Sequence, residues 1–151
     1  IYQTGGMDRN MERLEGKVDK GWGFELIWAT NDLYCGKMMV FTKKGNKFSM
    51  HFHKEKDESW FVNEGSFIVR WIDTKTATLF SQTLTQGMTW RNKPLLPHQL
   101  EALEDNSSIT EVSTADSVED NYRLIPGDSQ AGLLDELKGK VADEQPKDSM
   151  E

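Results

Sequence analysis

Gly45-Asn46-Lys47-Phe48-Ser49-Met50-His51-Phe52-His53-Lys54-Glu55-Lys56-Asp57-Glu58-Ser59-Trp60-Phe61-Val62-Asn63-Glu64-Gly65 is the stretch on which the fold turns. Between 48 and 53 the apolar Phe48, Met50 and Phe52 alternate with Ser49, His51 and His53. That period of two belongs to a half-buried strand. Side chains of one parity share a face, so His51 and His53 are expected to project together, about 6–7 Å apart along the strand, with Phe48, Met50 and Phe52 on the opposite side. Glu58 stands five residues later, at the head of the next apolar run. Two imidazoles and a carboxylate so arranged can converge on one metal ion with bonds of about 2.0–2.2 Å. Gly45 and Gly65 bracket the block, where they free the chain to turn tightly before the first strand and after the second.

Outward from this block, short runs rich in β-branched and aromatic residues recur at 24–29, 37–42, 48–53, 59–62, 66–73, 77–84, 88–91, 99–103 and 108–112, separated by Gly, Asn, Asp and Lys. Nine short candidate strands with no intervening helical period read as an all-β sandwich or barrel. The chain has three histidines, and the third, His98, follows Lys93-Pro94-Leu95-Leu96-Pro97. Two prolines stiffen that approach, as a ligand at a loop-to-strand junction requires if its ring is to be aimed in advance.

The 151 residues suit one domain. Three parts are expected: a polar arm over 1–20, a β-barrel over 21–127, and a tail over 128–151. In the tail Leu133, Leu134, Leu137 and Val141 form a helical stripe, which predicts one short C-terminal helix followed by a charged, disordered end. A net charge of −7 without a basic cluster argues against nucleic acid or anionic membrane as partner. Cys35 is alone, so neither an internal disulfide nor a thiolate cluster can form, and the expected role is a small, partly buried hydrophobe in a reducing cytoplasm. No apolar run reaches signal-peptide or membrane-span length.

The block from Gly45 to Gly65 resembles the first signature motif of the cupin superfamily at every defining position, and Gly87 to His98 is similar to the second. The resemblance covers about two thirds of the chain, from Trp22 to Pro126. It implies a double-stranded β-helix, or jelly-roll barrel, in which His51, His53, Glu58 and His98 bind one divalent transition metal: Zn, Fe, Mn, Ni, Co or Cu. The departures are Lys93, Leu95 and Ala102, where the family has proline, glycine and asparagine. Because a side chain resists positive φ, Pro94 and Pro97 are expected to impose a different turn at Leu95.

A narrower likeness is to the cupin part of type II mannose-6-phosphate isomerases. Gly21-Trp22-Gly23-Phe24-Glu25, Phe48-Ser49-Met50, Glu58-Ser59-Trp60 and Glu119-Asp120-Asn121-Tyr122-Arg123-Leu124 carry it. That family often has glutamine at the position of His51, and the nucleotidyltransferase half attached there has no counterpart in these residues. The resemblance implies a metal-assisted isomerase acting on a sugar phosphate or related carbohydrate. Such a reaction needs a base and an anion clamp. Lys54, Lys56, Arg70, Arg91 and Arg123 are the nearby cations, all read first as solvated surface, with Arg123 and Arg91 kept as catalytic candidates. Glu25, Glu101 and Glu111 read as solvent-facing strand residues, which leaves no convincing base. Trp60 shares the parity of Glu58, so it is a candidate to stack on a small-molecule substrate. Two other readings stand beside this one: a metal-dependent oxygenase or lyase on a small organic acid or phenol, and a non-catalytic ligand-binding cupin. A homodimer is expected for all three, because edge strands and abundant aromatics need covering.

Overall fold

The computed structural model describes residues 16–130. In chain order the strands are β1 (Lys17–Lys20), β2 (Gly23–Thr30), β3 (Tyr34–Phe41), β4 (Met50–Phe52), β5 (Glu58–Glu64), β6 (Ser66–Asp73), β7 (Thr78–Thr85), β8 (Thr89–Asn92), β9 (His98–Ala102), β10 (Ser107–Thr114) and β11 (Tyr122–Ile125). All nine expected runs are strands, and two edge strands join them. One is β1, so the last four residues of the expected arm are built into the sheet rather than lying outside it. Among the described residues, the single helical turn, Asp128–Gln130, follows β11. The expected C-terminal helix over 133–141 lies outside the described residues. Among the described residues, no helix is long and apolar enough to cross a membrane.

Two antiparallel sheets face one another. Six strands run in the order β1-β2-β3-β10-β5-β8, and five in the order β11-β4-β9-β6-β7. Neighbours in space are distant in sequence, as in β3 beside β10 and β4 beside β9, which is the jelly-roll arrangement of a double-stranded β-helix. The link from β5 to β6 is Gly65 alone, at φ 73°, and an added Cβ there would lie 2.1 Å from Ser107 Oγ. Only glycine serves both needs.

The inner faces bury Phe41, Trp60, Val62, Phe67, Val69, Leu84, Leu100 and Ile109. Trp22 stacks on Phe41 at 4.6 Å, and Phe67 meets Phe41 edge-on at 5.1 Å. Full burial of each such side chain stabilises the fold by about 1.5–3 kcal/mol, so this cluster fills one end of the barrel with close-packed rings. Cys35 is buried. The other end is open and polar.

The alternation in the deciding stretch holds from Met50 but fails at Phe48. β4 starts at Met50, and before it the chain crosses closely behind Gly127, whose hypothetical Cβ would lie 2.3 Å from the Phe48 carbonyl carbon. Phe48 therefore turns inward, edge-on to Trp60 at 5.8 Å and to His98 at 6.3 Å.

Candidate metal centre

β4 and β9 are antiparallel neighbours in which His51 and His98 are directly paired, so both imidazoles leave the same face of the five-stranded sheet. His53 follows β4 by one residue and keeps the parity of His51. The ring centroids of His51, His53 and His98 are 4.6–5.8 Å apart. Their ligand nitrogens all lie within 4.8 Å of one another. Glu58 comes from the opposite sheet, at the first position of β5, with Oε1 2.8 Å from His98 Nε2 and Oε2 3.9 Å from His53 Nε2. Of the four side chains named from the sequence, the three imidazoles converge between the sheets and Glu58 abuts two of them, His98 and His53.

Each imidazole is held by its other nitrogen. His51 Nδ1 lies 2.7 Å from the Ser49 carbonyl, His98 Nδ1 2.9 Å from that of Leu96, and His53 Nδ1 2.5 Å from that of Asp120. A carbonyl can only accept, so Nδ1 carries the proton in all three rings and donates it. In a neutral ring so held, Nε2 carries the lone pair, the tautomer a metal ligand requires. His98 Nε2 is buried without a hydrogen-bond donor yet faces a carboxylate oxygen at 2.8 Å. Two lone pairs do not approach so closely unless a positive centre, a proton or a metal ion, lies between them. The donor set of three nitrogens and a carboxylate fits a divalent transition metal.

Electrostatics keep the set ready. Burial, followed by the proximity of His98, pushes the His51 imidazole down to about 3, and burial also lowers His53. Both rings are neutral at pH 7. Burial opposes the ionisation of Glu58, but His98 and Lys56 hold its carboxyl well below the usual carboxylate range. Asn92 Nδ2 donates to Glu58 Oε1 at 3.1 Å, and Trp90 Nε1 in turn donates to Asn92 Oδ1 at 2.8 Å, which fixes the carboxylate plane.

The centre opens into a cavity of about 340 Å³ whose walls carry a charged network that was not visible in the sequence. Lys56, Glu25 and Glu111, expected at the surface, are buried and line it. Lys56 Nζ lies 3.3 Å from Glu58 Oε2, 3.2 Å from Glu111 Oε2 and 3.2 Å from Asp116 Oδ1. Lys37 Nζ bridges Glu25 and Glu111 at 3.4 and 3.6 Å. Burial, and then the Glu58 charge, raises the Glu111 carboxyl above its ordinary value. Lys56 shifts upward despite burial because Glu111, Glu58 and Asp116 surround it. These residues escaped notice because charged residues are mostly exposed, and, apart from Glu58 beside Lys56 and Lys20 near Glu25, their partners are remote in sequence. The one available signal was parity: Glu111 shares the face of the apolar Ile109.

The remaining candidates divide. Arg123 pairs in register with His51 across β11 and β4 and lines the cavity. Arg91 does not: it is exposed and grips Asp57 through Nε at 3.0 Å and Nη2 at 2.6 Å, because its parity on β8 points it away from Asn92. Arg70 pairs with Glu101 at 3.4 Å, away from the site, and Lys54 lies over the Tyr122 ring at 4.7 Å. Trp60 does line the cavity, but its indole nitrogen is committed to Glu111 Oε1 at 3.0 Å, and its ring meets His98 edge-on at 5.6 Å. At Leu95 the expected different turn is not found. Leu95 itself adopts φ 71°, and its N–H donates to the His53 carbonyl at 2.7 Å.

No family model matches the chain, and no curated protein matches it in sequence. Solved structures do. CapF, the capsular polysaccharide assembling protein of Staphylococcus aureus, is 16% identical with a TM-score of 0.63 over 72% of this chain and 32% of its own. Oxalate decarboxylase of Bacillus subtilis is 20% identical with a TM-score of 0.63 over 86% and 36%. KdgF from Halomonas sp. is 17% identical with a TM-score of 0.55 over 72% and 89%. The chain thus spans about a third of the length of CapF and of the decarboxylase. At these identities what is shared is the fold, the cupin-type β-sandwich.

Proposed function

We propose that this cupin-fold chain holds one divalent transition-metal ion on His51, His53, Glu58 and His98, and acts with it on a small oxygen-rich substrate, a sugar phosphate or related carbohydrate, by proton transfer between adjacent carbons. The observation that carries the reading is the convergence of three imidazoles whose ligand nitrogens lie within 4.8 Å of one another, with their Nδ1 protons given to carbonyls and the Glu58 carboxylate beside them. A bound ion supplies Lewis-acid polarisation of a substrate oxygen.

The chain's own groups supply the rest. Among the cations lining the cavity, Lys20, Lys37 and Lys56 are paired with carboxylates. Arg123 has no carboxylate partner among the described residues, which suits it to clamp a phosphate or carboxylate at the rim. Glu111, held among two lysines and an indole N–H beside Glu58, is the group suited to take a proton from one carbon and return it to its neighbour. Trp60 and Phe48 supply an apolar wall. A homodimer is part of the reading, because Trp28, Phe61 and Val112 are 56%, 47% and 52% exposed on the outer face of the six-stranded sheet.

The test is to strip the protein of metal, add back zinc, manganese, iron, cobalt, nickel and copper singly, and measure both stoichiometry and turnover on a panel of aldose and ketose phosphates. One ion per chain with isomerisation in zinc supports the reading; isomerisation with none of the metals sinks it. The likeness in fold to oxalate decarboxylase favours a second reading, a lyase or oxygenase on a small organic acid, whose carboxylate Arg123 would suit equally. That reading requires a redox-active metal, so activity confined to manganese, iron or copper with release of carbon dioxide or uptake of oxygen would select it.

A further inference from the structure

His51 and His98 are aimed by carbonyls two residues earlier in the chain, just ahead of β4 and β9. His53 is different, because the carbonyl that fixes its ring belongs to Asp120, 67 residues on. The Asp120 carboxylate also reaches the same turn. It accepts the N–H of Lys54 at 2.7 Å, of Glu55 at 3.1 Å and of Lys56 at 3.0 Å. Those three residues lead directly from His53 toward Glu58, so one residue fixes both the ring of one ligand and the backbone that joins it to another. Against a small desolvation cost, the three amides hold the Asp120 carboxyl below its ordinary value, so it is an anion whenever the turn is formed.

Asp120 stands near the end of the segment 115–121 between β10 and β11, which forms one rim of the cavity through Asp116, Ser117, Val118 and Asn121. The other end of the segment is tied to the same turn: Thr114 N–H donates to the Asp57 carbonyl at 3.0 Å, and Asp57 N–H to Thr114 Oγ1 at 3.1 Å. Asp116 adds its contact with Lys56. The rim and the 53–57 turn are therefore one hydrogen-bonded unit, and the aim of His53 depends on where the rim sits.

We propose that Asp120 is a positioning residue that couples metal binding to the order of the 115–121 rim: binding a metal through His53 stiffens the rim, and displacing the rim weakens the metal. The inference rests on the metal-binding reading above. Partners that orient a metal-ligating imidazole cost about 10–100-fold in affinity when lost.

The experiment is a cobalt(II) titration of the full chain, read by the visible d–d spectrum, together with hydrogen exchange over 115–120 with and without the metal. It uses the unaltered protein, Asp120→Ala, Asp120→Asn and Asp105→Ala. Asp105 caps the Lys44 N–H at 2.8 Å on a different loop, so it controls for the loss of a backbone cap. Asp120→Ala keeps the main-chain carbonyl but unties it from the 54–56 amides, so His53 is less well aimed and cobalt is expected to bind about 10–100-fold more weakly with an altered spectrum. Asp120→Asn, which keeps one amide oxygen for the turn, should be intermediate and carries the test if the alanine variant does not fold. Asp105→Ala should match the unaltered protein. Cobalt should slow exchange over 115–120 in the unaltered protein and do so less in either Asp120 variant. Equal affinity, spectrum and exchange in Asp120→Asn and the unaltered protein overturn the coupling. Failure of the unaltered protein itself to bind cobalt overturns the metal reading instead, and the two failures are distinct.

Discussion

Lys56 is the side chain on which the buried charges depend. It is 4% exposed and touches three carboxylates, Glu58, Glu111 and Asp116. Deleting one partner of a buried ionic cluster leaves the others uncompensated, at a cost of about 3–5 kcal/mol. Lys56→Met should lower the metal-free stability by that amount in urea unfolding. Neutralising Glu111 as well removes one of the stranded charges, so Lys56→Met/Glu111→Gln should be less destabilised than the sum of its parts. An additive double variant would show that the contacts do not work as a unit. The cluster was hidden in the sequence for a physical reason. His51 and His53 declare themselves because neighbours two apart share a face, whereas two of the three carboxylates on Lys56, Glu111 and Asp116, lie 55 and 60 positions away, on β10 and beyond it. Nothing local distinguishes a lysine that meets them from one in water.

Among the elements, nine strands were legible, the edge strands β7 and β8 included, and two edge strands, β1 and β11, were not. β1 and β11 are exposed along their whole length, so no alternation betrays them, and only pairing to β2 and β4 makes them strands. The turn into β9 was misread in the opposite direction. The glycine is gone, but the left-handed backbone it would allow is kept at Leu95, which is 60% exposed. Pro94 before it and the hydrogen bond from Leu95 N–H to the His53 carbonyl hold the geometry. A side chain in that region costs about 1–2 kcal/mol, while a glycine returns about 0.5–1 kcal/mol through the freer unfolded chain. Strain relief is the larger, so Leu95→Gly should raise stability by about 0.5–1 kcal/mol in chemical unfolding without altering metal affinity. A loss of stability would mean that the turn carries no strain.

For the whole molecule, the two-sheet sandwich sets its ligands in a buried seam, and this makes acid its enemy. His51, with its imidazole at about 3 when folded and near 6.5 when unfolded, stays neutral in the native state while the unfolded chain takes up a proton. Stability therefore falls as pH drops from 6.5 toward 3, by at most about 1.4 kcal/mol per pH unit for one such group. His53 acts in the same sense. Glu58, whose folded carboxyl is depressed, adds stability above about 4.5 that is lost as pH falls further. Glu111 opposes them, because its raised carboxyl gains a proton earlier in the folded state, but it is one group against three. The metal-free protein should accordingly melt lower at pH 4.5 than at pH 7. A metal ion that binds only the folded chain adds about 2.7 kcal/mol at a hundredfold excess over its dissociation constant, and this gain must itself shrink in acid as protons compete for the same nitrogens. Thermal melts at the two pH values, with and without zinc, measure both effects. A zinc-induced rise in melting temperature as large at pH 4.5 as at pH 7 would mean that the ion is held by something other than these imidazoles.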